Sequence, residues 1–438
     1  MTSSDDISGS DEYHSRAQAN CNCHPSNDIV GSKGNMLAGK HIVLALTGSI
    51  ACVKAFELCR ELMRQGATVN IVMSSAATRI IHPEAMQYAS GNPVCTQITG
   101  NVEHIEFFGD KGRADLLLIA PATANTIGKI AWGWDDTAPT TFATTALGSK
   151  APVIIVPAMH YSMYSHPIVK ENIKNLKKIG IKFVEPKISE GKAKFPELGE
   201  IVLEAARTIN MNSNNAKLKN KRILITAGSL RERIDPIRFI STPSSGSMGI
   251  ELAKAAYAQG AHVCIAGSEE LLNCKNQNSQ GAMQIPKQIP IIDAKNFDEM
   301  NNVVLKELKS KKYDYFISAA AISDFSVKMQ KEKIRSNKKI KLQLVPTPKL
   351  IVQIRKKFPK LKIIAFKAET NKTNAELEKL AKEFLQKNRF EMVIANDVAK
   401  GTIGKSTANL VIAAKGANIR TLAGPKSSVA QEIISSLP

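Results

Sequence analysis

The stretch Lys40-His41-Ile42-Val43-Leu44-Ala45-Leu46 is mostly apolar and breaks at Thr47-Gly48-Ser49. A helix-like segment over 51–65 follows, closed by Gly66, and then a second strand-like run, Ala67-Thr68-Val69-Asn70-Ile71-Val72-Met73. This order of strand, tight turn, helix and strand constrains the chain more than anything else in it. Strands apolar on both faces are buried on both faces, which requires parallel pairing with crossover helices laid over the sheet. Runs at 116–120 and 153–156 extend the pattern. It restarts at Arg222-Ile223-Leu224-Ile225-Thr226-Ala227-Gly228, with a helix over about 248–259 before Gly260 and a strand over 261–266; later strands fall at 313–318, 362–366 and 391–395. The fold class is α/β, two doubly wound three-layer domains in tandem.

Residues 1–38 lack hydrophobic periodicity and read as a disordered polar tail. The first domain then spans 39–207, a polar linker 208–220 and the second domain 221–438. No run approaches the roughly 18 apolar residues of a membrane helix, and the N-terminus has no apolar core segment. A cytoplasmic protein is expected, without membrane contacts. The seven cysteines (Cys21, Cys23, Cys52, Cys59, Cys95, Cys264, Cys274) outline no disulfide framework. Cys21-Asn22-Cys23-His24 lacks the second ligand pair of a complete zinc site. The net charge is +20, but the lysines are not interleaved with aromatics, which make up only 5%. That pattern favours a solvated basic surface, or a funnel for phosphorylated small molecules, over nucleic-acid binding.

Ligands of doubly wound sheets bind beyond the carboxyl ends of the strands. In the front half those ends carry Thr47-Gly48-Ser49, then Ser74-Ser75, then Pro121-Ala122-Thr123-Ala124-Asn125-Thr126, then Pro157-Ala158-Met159-His160-Tyr161-Ser162-Met163-Tyr164. Small residues, hydroxyls and amides thus converge on one edge. With His104-Ile105-Glu106, these segments make the front half resemble the flavin-dependent cysteine decarboxylases, over about 39–207. The resemblance implies a flavodoxin-like domain binding FMN at Gly48, Ser49, Ser74, Pro121, Ala122, Thr123, Asn125 and Met159, with Ser49 and Ser74 near the phosphate. It implies His104 as the active-site base. In such enzymes the flavin oxidises the thiol end of the substrate to a thioaldehyde, which gives the leaving carbon dioxide an electron sink. Two positions depart from the family pattern. His160 stands where an asparagine holds the substrate carboxylate, and the flap stretch 185–195 has no cysteine, as in the archaeal branch. Lys192 and Lys194 of that flap read either as substrate contacts or as surface lysines.

In the back half, Ser244-Ser245-Gly246 opens a helix, a turn suited to phosphate, though no Gly-Lys-Ser/Thr of a Walker loop is present. Together with Asp235-Pro236-Ile237-Arg238, Ala319-Ala320-Ala321-Ile322-Ser323-Asp324-Phe325, Glu332-Lys333-Ile334, Phe366-Lys367-Ala368-Glu369-Thr370-Asn371 and Ala395-Asn396-Asp397, the segment resembles phosphopantothenate–cysteine ligases over about 221–415. The resemblance implies a Rossmann-like domain that uses CTP to activate the carboxylate of 4′-phosphopantothenate as an acyl-CMP, which the amine of cysteine then attacks. Lys333 and a Mg²⁺ (or Mn²⁺) ion would offset phosphate charge; the residues holding the metal are not indicated. Thr242, Ser244, Ser245, Gly246, Asp324, Phe366 and Asn396 would surround nucleotide and substrate. Thr242 replaces the family's asparagine and Ser247 its lysine, and Arg335-Ser336 replaces the usual basic pair.

The whole chain resembles the fused enzymes that make 4′-phosphopantetheine for coenzyme A. The resemblance implies trimer contacts by the flavin domain and dimer contacts by the ligase domain, up to a dodecamer. The alternatives are a decarboxylase with a degenerate ligase half, or a regulatory binding protein that keeps the flavin fold. A flavin prenyltransferase or a peptidyl-cysteine decarboxylase leaves 221–438 unexplained.

Overall fold

A computed structural model describes residues 24–213, 216–268, 271, 285–335, 340–399 and 405–438. Cys21, Cys23 and Cys274 lie outside the described residues, as do residues 1–23 of the expected tail.

The front half runs β1 (His41–Leu46), α1 (Ala55–Arg64), β2 (Thr68–Met73), α2 (Ser75–Thr78), α3 (Pro83–Ser90), β3 (Val94–Cys95), α4 (Glu103–Phe108), β4 (Leu116–Ala122), α5 (Ala124–Trp132), α6 (Ala138–Gly148), β5 (Val153–Pro157), β6 (Met159–His160), α7 (Tyr161–Tyr164), α8 (Pro167–Lys178), β7 (Lys182–Phe183), β8 (Lys187–Ser189), β9 (Lys192–Lys194) and α9 (Leu198–Asn212). Six strands form a parallel sheet in the order β3-β2-β1-β4-β5-β7. The winding reverses between β1 and β4, where a crevice opens at the strands' carboxyl ends. Alternation along β1 divides its side chains between two layers. Ile42, Leu44 and Leu46 join the core under α1 and α9, while Val43 and Ala45 join Leu117, Ile119 and Phe142 on the other face.

The back half runs β10 (Arg222–Ala227), β11 (Arg231–Arg233), β12 (Phe239–Ser241), α10 (Ser247–Ala258), β13 (His262–Gly267), β14 (Ile291–Asp293), α11 (Phe297–Ser310), β15 (Tyr315–Ser318), β16 (Phe325–Val327), β17 (Leu344–Pro346), α12 (Leu350–Lys357), β18 (Lys362–Glu369), α13 (Asn374–Asn388), β19 (Met392–Asp397), β20 (Thr407–Ala414), β21 (Arg420–Pro425) and α14 (Lys426–Ser435). Its sheet follows β14-β13-β10-β15-β18-β19-β20-β21 and repeats the front winding, with the reversal between β10 and β15 and two antiparallel strands added at one edge. No helix among the described residues is long and apolar enough to cross a membrane.

Two expectations are corrected. Residues 24–38 are not a loose tail. A 3₁₀ turn at Asn27–Ile29 leads into a strap whose Leu37 is fully buried. The strap donates Gly31 N–H to Met63 O and Leu37 N–H to Gln65 O on the front half, and Asn35 N–H to Gln431 Oε1 on the back half. Its polar composition hid it, because backbone hydrogen bonds rather than an apolar stripe hold most of it down. The expected linker also begins as helix, since α9 continues to Asn212 and Leu218 is buried. Helix α9 packs on α10: Arg207 Nη1 donates to Tyr257 O at 2.6 Å and Ala261 O at 2.9 Å, and its guanidinium lies 4.1 Å from the Tyr257 ring centroid. Tyr257 in turn donates its hydroxyl to Glu204 at 2.6 Å. One hydrophobic core accordingly contains Leu44 of β1 and Ile225 of β10 alike.

Candidate active sites at two switch points

At the front switch point the turn after β1 is tied to the turns after β4 and β5. The Thr47 hydroxyl donates to Pro121 O at 2.9 Å and accepts from Thr123 N–H at 3.0 Å, while the Ser49 hydroxyl donates to Ala158 O at 2.9 Å. Ser74 and Thr123 cap the helices that follow them. Gly48 lies so close to Ala76 that an added Cβ would come within 2.6 Å of the Ala76 Cβ. The crevice floor is therefore built from backbone and small side chains. Pro121 and Ala122 are buried, Thr123 and Met159 half-buried, and Asn125 exposed.

His104 stands apart from these hydrogen bonds. It lies on α4, which begins after Val102 in a left-handed conformation, and its ring meets Phe142 edge-on at 6.5 Å. Its Nδ1 is buried and has no hydrogen-bond partner. His41 Nδ1 on β1 is likewise buried without a partner.

His160 is exposed and caps α7, with its Nδ1 2.9 Å from Ser162 Oγ. It is the antiparallel partner of Lys192 in a small sheet ordered β6-β9-β8. The flap and the Pro157–Tyr164 segment are thus one unit. Lys194 is paired with Glu190 at 2.6 Å.

In the back half a cavity of about 750 Å³ opens at the switch point. Thr242, Ser244, Ser245, Gly246, Asp324, Phe366 and Asn396 all line it. The N-terminus of α10 faces in, its cap Gly246 at φ 72° and without a side-chain cap. An added Cβ at Gly249 would come within 2.4 Å of the Ala227 Cβ, so the close approach of α10 to β10 needs a glycine there. Asp324 is ion-paired with Lys349.

Lys333 is not among the cavity-lining residues. Its loop is clamped onto the turn before β12, where the Asp235 carboxylate accepts Ile237 N–H at 2.8 Å, Arg238 N–H at 2.7 Å and Ile334 N–H at 3.1 Å, and pairs with Arg238. Burial alone would raise the Asp235 pKa, but these backbone donors and the Arg238 guanidinium together hold it well below the usual carboxylate range. Sequence reasoning missed two lysines of the lining, Lys349 and Lys426, and met Lys367 only as part of a family-matching segment. The only signal for Lys426 was its place after Gly424-Pro425 at the start of a helix.

The fold defines a tandem of two doubly wound α/β domains. Residues 30–210 match the family described as Flavoprotein, and 218–438 match the DNA/pantothenate metabolism flavoprotein C-terminal domain. The coenzyme A biosynthesis bifunctional protein CoaBC of Thermococcus kodakarensis is 45% identical over 370 residues, covering 84% of this chain and 88% of that protein. That of Methanocaldococcus jannaschii is 36% identical over 415 residues, covering 94% and 96%. The solved C-terminal domain of a CoaBC superposes at a TM-score of 0.40 and 26% identity, over 51% of this chain and 95% of that one. The chain belongs to this family of bifunctional coenzyme A biosynthesis proteins. It is an enzyme with a decarboxylase and a ligase activity on one polypeptide, and its front half is a flavoprotein domain.

Proposed function

We propose that the back cavity binds CTP and 4′-phosphopantothenate and joins the latter to cysteine, and that the front crevice, with FMN bound, decarboxylates the phosphopantothenoylcysteine so formed. One observation carries the ligase assignment: seven of the eight residues singled out for nucleotide and substrate line a single cavity. Its volume lies within the range usual for small-molecule sites. The helix N-terminus and the Ser244-Ser245-Gly246 turn provide N–H and hydroxyl donors for phosphate, and Phe366 an apolar wall. Among the described residues of the lining Asp324 is the one carboxylate, which suits a Mg²⁺ ion held mainly by phosphates and water with one protein oxygen. Lys333, on a loop fixed by Asp235 and outside the cavity lining, would have to move toward the bound phosphates to offset their charge.

In the front half, the hydroxyl-rich turns suit the flavin phosphate, and the close fit of Gly48 on Ala76 keeps the floor flat. FMN supplies the two-electron oxidation of the substrate and the return of hydride. His104 moves the proton, His160 holds the substrate carboxylate, and the β6-β9-β8 sheet excludes water. Exposed apolar side chains on the front half (Trp132, Trp134, Val53) and on the back hairpins (Phe239, Phe325, Val345) are available for assembly through both halves, the trimers and dimers themselves being what the family resemblance implies.

With CTP, Mg²⁺, cysteine and phosphopantothenate, the purified protein is expected to release both CMP and carbon dioxide. Omitting CTP or exchanging it for ATP tests the nucleotide. His104→Asn is expected to lower decarboxylation by about a hundredfold or more while leaving CMP release intact. Unchanged decarboxylation in that variant would remove His104 from its assigned role.

A further inference from the structure

Lys426 is the first residue of α14 and lines the back cavity, where its Nζ donates to Ser247 Oγ at 2.8 Å. Ser247 is the first residue of α10, so the ammonium stands at the N-terminal ends of two helices of ten and twelve residues. Both ends carry partial positive charge and repel a cation. Among the described residues no carboxylate pairs with Lys426, whereas Lys349 and Lys367 of the same lining are paired with Asp324 and Glu369. The Lys426 side chain is half-buried, and burial lowers its pKa with no opposing attraction. Its one acceptor among the described residues is a neutral hydroxyl that is itself 2.9 Å from Ser245 Oγ. A half-buried ammonium, the N-terminal ends of two helices and a group of neutral hydroxyls form an arrangement that an anion relieves.

We propose that Lys426 is a phosphate-binding residue of the ligase site, receiving a phosphoryl group between its ammonium and the N–H groups that open α10. The proposal rests on the reading of the cavity as the ligase site. The phosphoryl group belongs either to the triphosphate of the nucleotide or to the phosphate of phosphopantothenate. It also gives Ser247 a reason to be small: the cation at this turn comes from the far end of the chain, and a lysine at 247 would crowd it.

The test uses the full-length protein and titrates CTP with Mg²⁺, and separately 4′-phosphopantothenate, by calorimetry. Lys426→Met is expected to weaken one of them by about ten- to a hundredfold, the loss typical of a charged hydrogen bond, and to raise the KM for that substrate more than it lowers kcat. The affected substrate identifies the source of the phosphate. Lys426→Arg is expected to retain most of the affinity. The double variant Ser247→Lys with Lys426→Met returns a cation to the same turn, and recovery of affinity there excludes a merely structural role. Intact decarboxylation of supplied phosphopantothenoylcysteine reports correct folding; if the Met variant fails that check, Lys426→Gln takes its place. Phe366→Ala tests the cavity reading separately, since unchanged CTP affinity in that variant would overturn the nucleotide assignment whatever Lys426 does. Binding of both substrates by Lys426→Met within twofold of the unmodified protein overturns the proposal.

Discussion

Asp235 shows how much one carboxylate can organise. Fully buried, it gathers three backbone N–H groups and one guanidinium, and so fixes the loop that carries Lys333. Its folded pKa lies below the unfolded one, so the clamp's contribution is fully present above the ordinary aspartate range and is lost only as pH falls through the depressed value. Ligation is therefore expected to show no break from this group between about pH 5 and pH 8. Asp235→Asn is expected to lower ligation on the order of tenfold to a hundredfold by displacing the loop, with decarboxylation unchanged; assaying CMP and carbon dioxide in parallel checks both. At this scale the sequence was legible where chemistry is local. Ser244, Ser245 and Gly246 announce within three residues the turn that lines the back cavity. Lys426 did not announce itself, because it reaches Ser247 across 179 positions and only the folded sheet brings them together. The unpartnered Nδ1 of His104 was equally invisible, since burial of a single atom leaves no mark on residue type.

Among elements, α10 carries the most consequence. Its first turn points at the cavity, its body packs on β10, and its far end holds α9. Gly249 sets the depth at which it sits. Gly249→Ala is expected to cost about 1–3 kcal/mol through overpacking against Ala227 and to weaken CTP binding by tilting the helix start, measurable as a lower melting temperature and a raised Kd. The central strands of both sheets were legible as apolar runs, whereas the edge strands β3, β7, β14, β20 and β21 were not read; the glycine stops placed the ends of α1 and α10 within a residue or two. The small β6-β9-β8 sheet was not, because two- and three-residue strands carry no periodicity. Their pairing is set instead by the positive-φ turn at Glu190-Gly191. The helix expected over 51–65 likewise opens with a 3₁₀ stretch, Ile50–Lys54, a tightening that apolar spacing does not encode.

For the whole molecule, the two α/β halves are joined through one hydrophobic core rather than by a polar connection alone. The sequence offered a run of asparagines around 210–215 and no hint that Asn210 would donate to Ala258 O from within a helix. Leu37 closes that core from the strap, and Leu37→Ala is expected to cost about 2–5 kcal/mol. Scanning calorimetry on the unmodified protein is expected to show a single transition; Arg207→Ala is expected to separate it into two. If the unmodified protein already unfolds in two well-resolved steps, the shared core does not couple the halves.

The strap that ties both halves has a consequence for anyone looking for ligands. A small molecule that grips only the folded state stabilises whatever melts together with its site. With the front and back halves stitched by Leu37 and Asn35, one heating curve becomes a common readout for two unrelated pockets. A compound lodged beside the flavin and one lodged in the nucleotide cavity would move the same midpoint, and only competition with each natural ligand would tell them apart.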